Sequence, residues 1–210
     1  MTRLVLHDYF RSSASFRVRI ALNMKGLDYE RVEVSLIAGE QKSDAYLELN
    51  AQGLVPMLVV DGEPMIQSLA IIDWIDRTWP EPRLIPDDPM PRAIALAQAQ
   101  VIASDIHPLN NLRVLKYLTR DLGLNEQTKE RWIATWIAQG FDALEAMAGE
   151  GAYLGGDAPG IADCCLVPQM FNARRFEVPL DAYPRLLSIE AACMELDAFR
   201  RAHPDAVRPA

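Results

Sequence analysis

Five prolines crowd into the twelve residues "PEPRLIPDDPMP", positions 80–91. Proline lacks a backbone N–H and clashes with the carbonyl four residues back, so no helix runs through such a stretch. The segment divides the chain into two parts with different patterns. Before it, strand and helix signals alternate; after it, every periodic segment is helical. The expected layout is an α/β domain over residues 1–80, a linker over 81–91 and an all-helical domain over 92–210.

In the first part "LVLHDYF" reads as a strand. Phe16, Val18, Ile20, Ala21, Leu22 and Met24 form a broad apolar stripe at helical spacing, and Lys25-Gly26 ends that helix. "YERVEVSL" alternates as a second strand and "SDAYLELN" suggests a short helix. "VPMLVVDGEPMIQS" has the form of a hairpin turning at Asp61-Gly62, and "SLAIIDWIDRTW" that of a helix with Ser68 as N-cap. In the second part, residues 92–119 form one long helical segment that Pro108 should kink. Ile133, Ile137, Phe141 and Leu144 make a core-facing stripe, and "DCCLVPQMF" is apolar on all sides, as a helix at the centre of a bundle would be.

Composition excludes several classes of function. The chain of 210 residues carries 29 acids against 21 Lys and Arg, a net charge of −8, which gives no basic face for a phosphate backbone. No nucleic-acid partner is expected. The cysteines Cys164, Cys165 and Cys193 make no zinc-like spacing with His7, His107 and His203, so neither a structural metal nor a disulfide framework is expected. Cys164 and Cys165 read as core filler, His7 and His203 as incidental. No apolar run reaches membrane-spanning length, and "MTRLVLHDYF" meets charge too early for a secretory leader. A cytoplasmic protein with no membrane partner is expected.

The stretch "YFRSSASFRVRIALNMKG" poses the functional question. Ser12 and Ser13 follow a strand and open a helix. Serine is a favoured N-cap, and that role alone would account for one of them. The same position gathers partial positive charge, which stabilises an anion by roughly 0.3–1 kcal/mol. Further along, Val55-Pro56 precedes a strand and Gln67-Ser68 opens the next helix.

Together these pieces resemble the thioredoxin-like N-terminal domain of the glutathione transferases, and "SSASFRVRIAL" is similar to the zeta-class signature. "QSLAIIDWID", "DIHPLNNLRVLKYL", "ADCCLVPQMFNARRFEV" and "ELDAFRRAHP" resemble the maleylacetoacetate isomerase branch of that class, in the same order along the chain. Two positions depart from it. Ala14 stands where the family usually has a cysteine, so no protein thiol is available at the turn. Gly160 stands where serine or threonine commonly caps a helix, with Asp163 three residues on still able to accept backbone N–H groups.

The resemblance implies a fold, a cofactor and a set of roles. The fold is a thioredoxin-like α/β domain followed by an all-α domain, and the cofactor is glutathione. A free thiol titrates near about 8.5 and only its thiolate attacks. Ser12 is the implied hydrogen-bond donor to that sulfur, with Ser13 assisting or simply capping the helix. Pro56 corresponds to a cis-proline that lets the Val55 backbone pair with the tripeptide. Gln67 and Ser68 would hold the γ-glutamyl carboxylate, and Gln41 would meet the glycyl end. His107 is either a glutathione contact or a surface histidine beside the kink. Arg11 and Arg175 would anchor a small dicarboxylate, work suited to the guanidinium fork; Arg17 and Arg19, on different helix faces, receive no chemical role.

The implied reaction is glutathione-dependent cis–trans isomerisation of maleylacetoacetate: thiolate addition to the conjugated alkene, rotation about the resulting single bond, and elimination. Three alternatives stay open: a maleylpyruvate isomerase, a general zeta-class transferase or dehalogenase, and a non-catalytic binding or scaffold protein on the same fold. A homodimer is implied by the family alone.

Overall fold

The computed structural model describes residues 2–209. The chain forms two compact units, one from the residues up to Leu84 together with those from Met194 onward, the other from Ile85–Cys193. The linear division at 81–91 leaves the last residues with the helical domain; the structure instead packs them on the first unit.

The first unit is built on a four-stranded sheet in the order β2-β1-β3-β4. Strand β1 (Leu4–Asp8) pairs in parallel with β2 (Glu30–Glu33) and antiparallel with β3 (Met57–Val60), which continues antiparallel to β4 (Glu63–Ile66). The parallel pair needs a crossover, and helix α1 (Ser13–Met24) supplies it. Side chains alternate across the strands. Leu4, Leu6 and Leu58 face one side, where they pack with Val18 and Leu22 of α1 and with Ile71 and Ile75 of α3 (Ser68–Thr78). Met57 and Val34 pack with Tyr46 of the short helix α2 (Asp44–Leu49), and the His7 ring meets Tyr46 edge-on.

The hairpin turn falls at Asp61-Gly62, where φ values of 50° and 100° suit a primed turn. Helix α1 ends where expected: Gly26 adopts φ 63° and its N–H donates to Asn23. Helix α3 starts one residue off expectation. Gln67 occupies the N-cap position with no side-chain cap, and Ser68 is the first helical residue.

In the second unit α4 (Pro89–Gln100) widens into a π-type stretch, Val101–Ile106. The expected kink at Pro108 is a full interruption. The backbone turns over residues 107–110, and Asn111 caps a new helix, α5 (Leu112–Lys116), by accepting from Arg113 N–H at 3.1 Å. Proline removes one helical donor, and an Asn three residues later offers the backbone a cap in its place. Helices α6 (Glu126–Met147) and α7 (Ile161–Arg175) provide the core, with Ile133, Ile137, Phe141 and Leu144 buried on α6.

Every residue from Ile161 to Met170 on α7 is buried. Burial raises the thiol pKa of Cys164 and of Cys193, the latter on α8 (Pro184–Met194), so both act as small apolar core groups. Gly140 lets α6 approach the π-type stretch closely: a Cβ there would sit 2.3 Å from Ile106 Cδ1 and 2.4 Å from its Cγ1. Gly140→Ala should therefore destabilise the fold by about 1–2 kcal/mol through overpacking, read from the urea midpoint. An unchanged midpoint would show that Ile106 yields freely.

Candidate active site

The turn between β1 and α1 is tightly defined. Ser12 N–H donates to the Tyr9 carbonyl at 2.8 Å, which leaves Phe10 and Arg11 at its centre. Ser12 itself is extended (φ −69°, ψ 118°), and its Oγ accepts from Ser15 N–H at 3.2 Å. This is an N-cap, the structural role that sequence left open. The two roles do not compete. A hydroxyl that accepts through its oxygen still has its own proton to donate. Ser13 is the buried first residue of α1, and Ala14 follows it with no polar group.

The helix pole behind Ser12 is uncompensated. Helices α2, α6 and α7 each place an acid in the first turn, whereas α1 and α3 have none. Both helix starts therefore keep their positive partial charge for an incoming anion.

Arg11 is held beside this turn by its neighbours. Its Nη2 donates to Tyr9 Oη at 3.0 Å, and its guanidinium carbon lies 5.2 Å from the Phe10 ring centroid. Tyr9 thus takes a positioning part that the sequence did not disclose. At the start of α3, Gln67 adopts φ 72° and ψ 111°, a positive φ unusual for a residue with a side chain. Its amide donates to Gln52 Oε1 at 2.9 Å. Ser68 is buried, and Arg17 Nη1 donates to its Oγ at 3.3 Å.

Arg17 corrects the sequence reading, which gave it no role. It is only 2% exposed and brings a buried positive charge to the head of α3. The signal was available in "FRVRIAL": a charge inside an otherwise buried apolar run must find a partner.

The peptide Val55–Pro56 is cis, and the β1–β3 and β3–β4 ladders both begin at Met57. Val55 therefore lies just beyond the last ladder pair, at the end of a strand. Gln41 sits in a short 3-10 turn, Glu40–Lys42, with its Oε1 buried and making no hydrogen bond. Arg11 Nε is in the same condition. The turn at Gly53 lies against the 40–42 segment: φ is 59°, and a Cβ would come 2.8 Å from the Gln41 carbonyl. Only glycine fits there.

Two expected site residues belong to the second unit. Arg175 ends α7, is exposed, and stacks its guanidinium 4.6 Å from the Phe176 ring centroid. Its neighbour Arg174 forms a bidentate pair with Glu190, at 2.5 and 2.6 Å. His107 is half-buried where the π-type stretch ends. Among the described residues no cluster of His, Cys, Asp or Glu could hold a metal ion, and no helix is long and apolar enough to cross a membrane.

Comparison with known proteins accounts for this constellation. Residues 11–78 match the glutathione S-transferase N-terminal domain and 126–188 the C-terminal domain. A solved maleylpyruvate isomerase described as a zeta-class bacterial glutathione S-transferase superposes with a TM-score of 0.96 at 46% identity, covering 98% of this chain and 99% of that one. This chain belongs to the zeta class of the glutathione transferases.

As a zeta-class transferase it is also 46% identical to the maleylacetoacetate isomerase of Pseudomonas aeruginosa, over 95% of each chain. It is similar in structure to the maleylacetoacetate isomerase of Methylobacterium extorquens, solved with bound malonate and glutathione, at a TM-score of 0.94 and 39% identity. That match covers 98% of this chain and all of the other. The first unit of this transferase offers what a γ-glutamyl tripeptide thiol requires. It has a hydroxyl at one helix start, a second helix start with no acid in its first turn, and a strand end between them in sequence.

Proposed function

We propose that this chain catalyses glutathione-dependent cis–trans isomerisation of maleylacetoacetate to fumarylacetoacetate. The observation that carries the reading is Ser12: its oxygen caps α1 while its proton remains for a sulfur anion at the helix pole. Glutathione, when bound, supplies the thiolate that adds reversibly to the conjugated double bond. Ser12 and the α1 dipole favour the ionised thiol, and one pKa unit of that preference corresponds to about 1.4 kcal/mol. Gln67, Ser68 and Arg17 hold the γ-glutamyl carboxylate, the Val55 backbone pairs with the peptide beside Pro56, and Gln41 receives the glycyl end. Ser13 supports the helix start, and His107 is a further glutathione contact in this reading. Arg11 and Arg175 anchor the substrate carboxylates.

Maleylpyruvate is the second reading, supported by the match to the zeta-class maleylpyruvate isomerase at the same 46% identity as the maleylacetoacetate relative. Turnover of both maleyl substrates, each with and without glutathione, decides between them. Activity that is independent of glutathione would overturn both. Retention on immobilised glutathione separates either reading from a non-catalytic scaffold. Conjugation without isomerisation would mark a general transferase.

Arg175 is exposed, so its contact with a carboxylate is worth no more than about 1 kcal/mol. Arg175→Ala should raise KM for the maleyl substrate about three- to fivefold and leave glutathione affinity unchanged. An unchanged KM would remove Arg175 from the substrate site. We take the working form to be a homodimer in the cytoplasm. Met90 and Ile94, one turn apart on α4, are 70% and 49% exposed, and all three cysteines are free thiols. Light scattering at micromolar concentration tests the dimer.

A further inference from the structure

The first unit contains a buried ionic network that the functional reading leaves unused. Asp8 ends β1 and Arg19 lies two turns into α1, and neither side chain is exposed. Asp8 Oδ1 accepts from Arg19 Nη1 at 2.6 Å, and Oδ2 accepts from Arg31 Nε at 2.8 Å. Arg19 directs its other donors at two backbone carbonyls: Nη2 to Phe10 at 3.0 Å and Nε to Ala202 at 2.9 Å. Arg31 Nη1 donates to the Val207 carbonyl at 3.1 Å. The segment that provides Ala202 and Val207 is fastened along α1 by two more contacts. Asn23 Nδ2 donates to the Ala198 carbonyl at 3.0 Å, and His203 meets the Phe16 ring edge-on. Ala202 ends the short helix α9 (Asp197–Ala202).

A buried ion pair is a weak source of stability, because desolvation offsets most of its attraction, so what it orients is the more informative property. Here that is the Phe10 carbonyl. Phe10 and Arg11 are the central residues of the turn closed by Ser12 on Tyr9. The peptide between two central turn residues is the one whose rotation interconverts turn types, with little change in the flanking chain. Arg19 holds the oxygen of that peptide. Rotating it would break a charge-assisted hydrogen bond from the buried Arg19 guanidinium and redirect Arg11.

We infer that Arg19, oriented by Asp8 and tied to the C-terminal segment through Ala202, is a positioning residue that fixes the directions of the Ser12 hydroxyl and the Arg11 guanidinium. The inference rests on the glutathione reading proposed above. Arg31 supports Asp8 from its second oxygen and carries the same tie to Val207.

The test is Arg19→Lys. Lysine keeps a positive charge beside Asp8, but one ammonium cannot replace a planar fork that spans a carboxylate and two carbonyls. With folding checked by near-ultraviolet circular dichroism, the bound glutathione thiol should titrate about half a unit higher than in the wild type. The ionised fraction then falls about threefold below the pKa. We expect kcat to fall about fivefold, less than twofold of it through the thiol and the rest through the redirected Arg11 guanidinium, with glutathione affinity within twofold of wild type. A folded variant with wild-type thiol titration and kcat overturns the positioning role. Asp8→Asn/Arg19→Gln, which removes both buried charges together, is read in the same way should the lysine variant not fold. If neither folds, the network is a stability element only and the inference is wrong. Failure of the wild-type chain to bind glutathione would instead overturn the functional reading, whatever the variants do.

Discussion

Ser12→Ala is expected to lower turnover at pH 7 by about three- to tenfold, with a deficit that closes as the pH is raised toward 9. A hydrogen bond to a charged acceptor is worth about 1.5–3 kcal/mol, so its loss raises the bound thiol pKa by about 1–2 units. That lowers the ionised fraction about ten- to a hundredfold. The remaining thiolate is more basic and more nucleophilic, and about the square root of the loss is recovered. Glutathione affinity should stay within about twofold, because the contacts proposed for the γ-glutamyl end lie at α3. The same substitution removes the acceptor of Ser15 N–H and should cost about 1 kcal/mol of stability. Denaturation and pH–rate profiles measured on one preparation separate the two effects. Lost stability with an unshifted rate profile would leave Ser12 as a cap and nothing more.

Asp163→Ala should destabilise the protein by about 3–5 kcal/mol. Gly160 has no side chain with which to cap α7, so the cap is one-sided. Asp163 accepts from Gly160 N–H and from Leu154 N–H, each at 2.8 Å, the second bond buried and the first partly so. Removing the carboxylate leaves two donors unsatisfied, at about 1–3 kcal/mol for each that is fully buried. The effect depends on pH in a definite direction. Burial pushes the Asp163 carboxyl up to about 6, against the backbone N–H groups that favour its anion.

Ionisation therefore costs more in the fold than in the unfolded chain. The contribution of this group is present in full below the unfolded pKa near 3.8 and is lost as the pH rises through about 6. Between pH 5 and 7.5 the loss amounts to about 1.4 kcal/mol. Urea denaturation should show a cost of Asp163→Ala larger at pH 5 than at pH 7.5 by about that amount. An equal cost at both values would mean that the carboxyl is already ionised at pH 5.

The local elements were legible because their determinants are local. The α1 stripe, the glycine after it and the Asp61-Gly62 turn each name their own backbone conformation, and the structure has all three where expected. Asp163 was also readable as a substitute cap, since its partner Gly160 lies three residues away. What escaped was long-range. The destinations of Arg17 and Arg19 lie 51 and up to 183 residues along the chain, at Ser68 and Ala202. Helical spacing places these arginines on opposite faces but says nothing of what those faces meet. Pro108 shows a different gap. Its effect depended on Asn111, which offered a cap for a fresh helix and turned the expected kink into a break.

The most direct measurement is a pH titration of glutathione bound to the wild-type chain, followed by the ultraviolet absorbance of the thiolate. A hydroxyl donor at an uncompensated helix start should bring the bound thiol at least one unit below its free value, so that at pH 7 about a quarter or more is ionised, against about 3% of the free thiol. A bound thiol that titrates where free glutathione does would contradict the role assigned to the Ser12 turn.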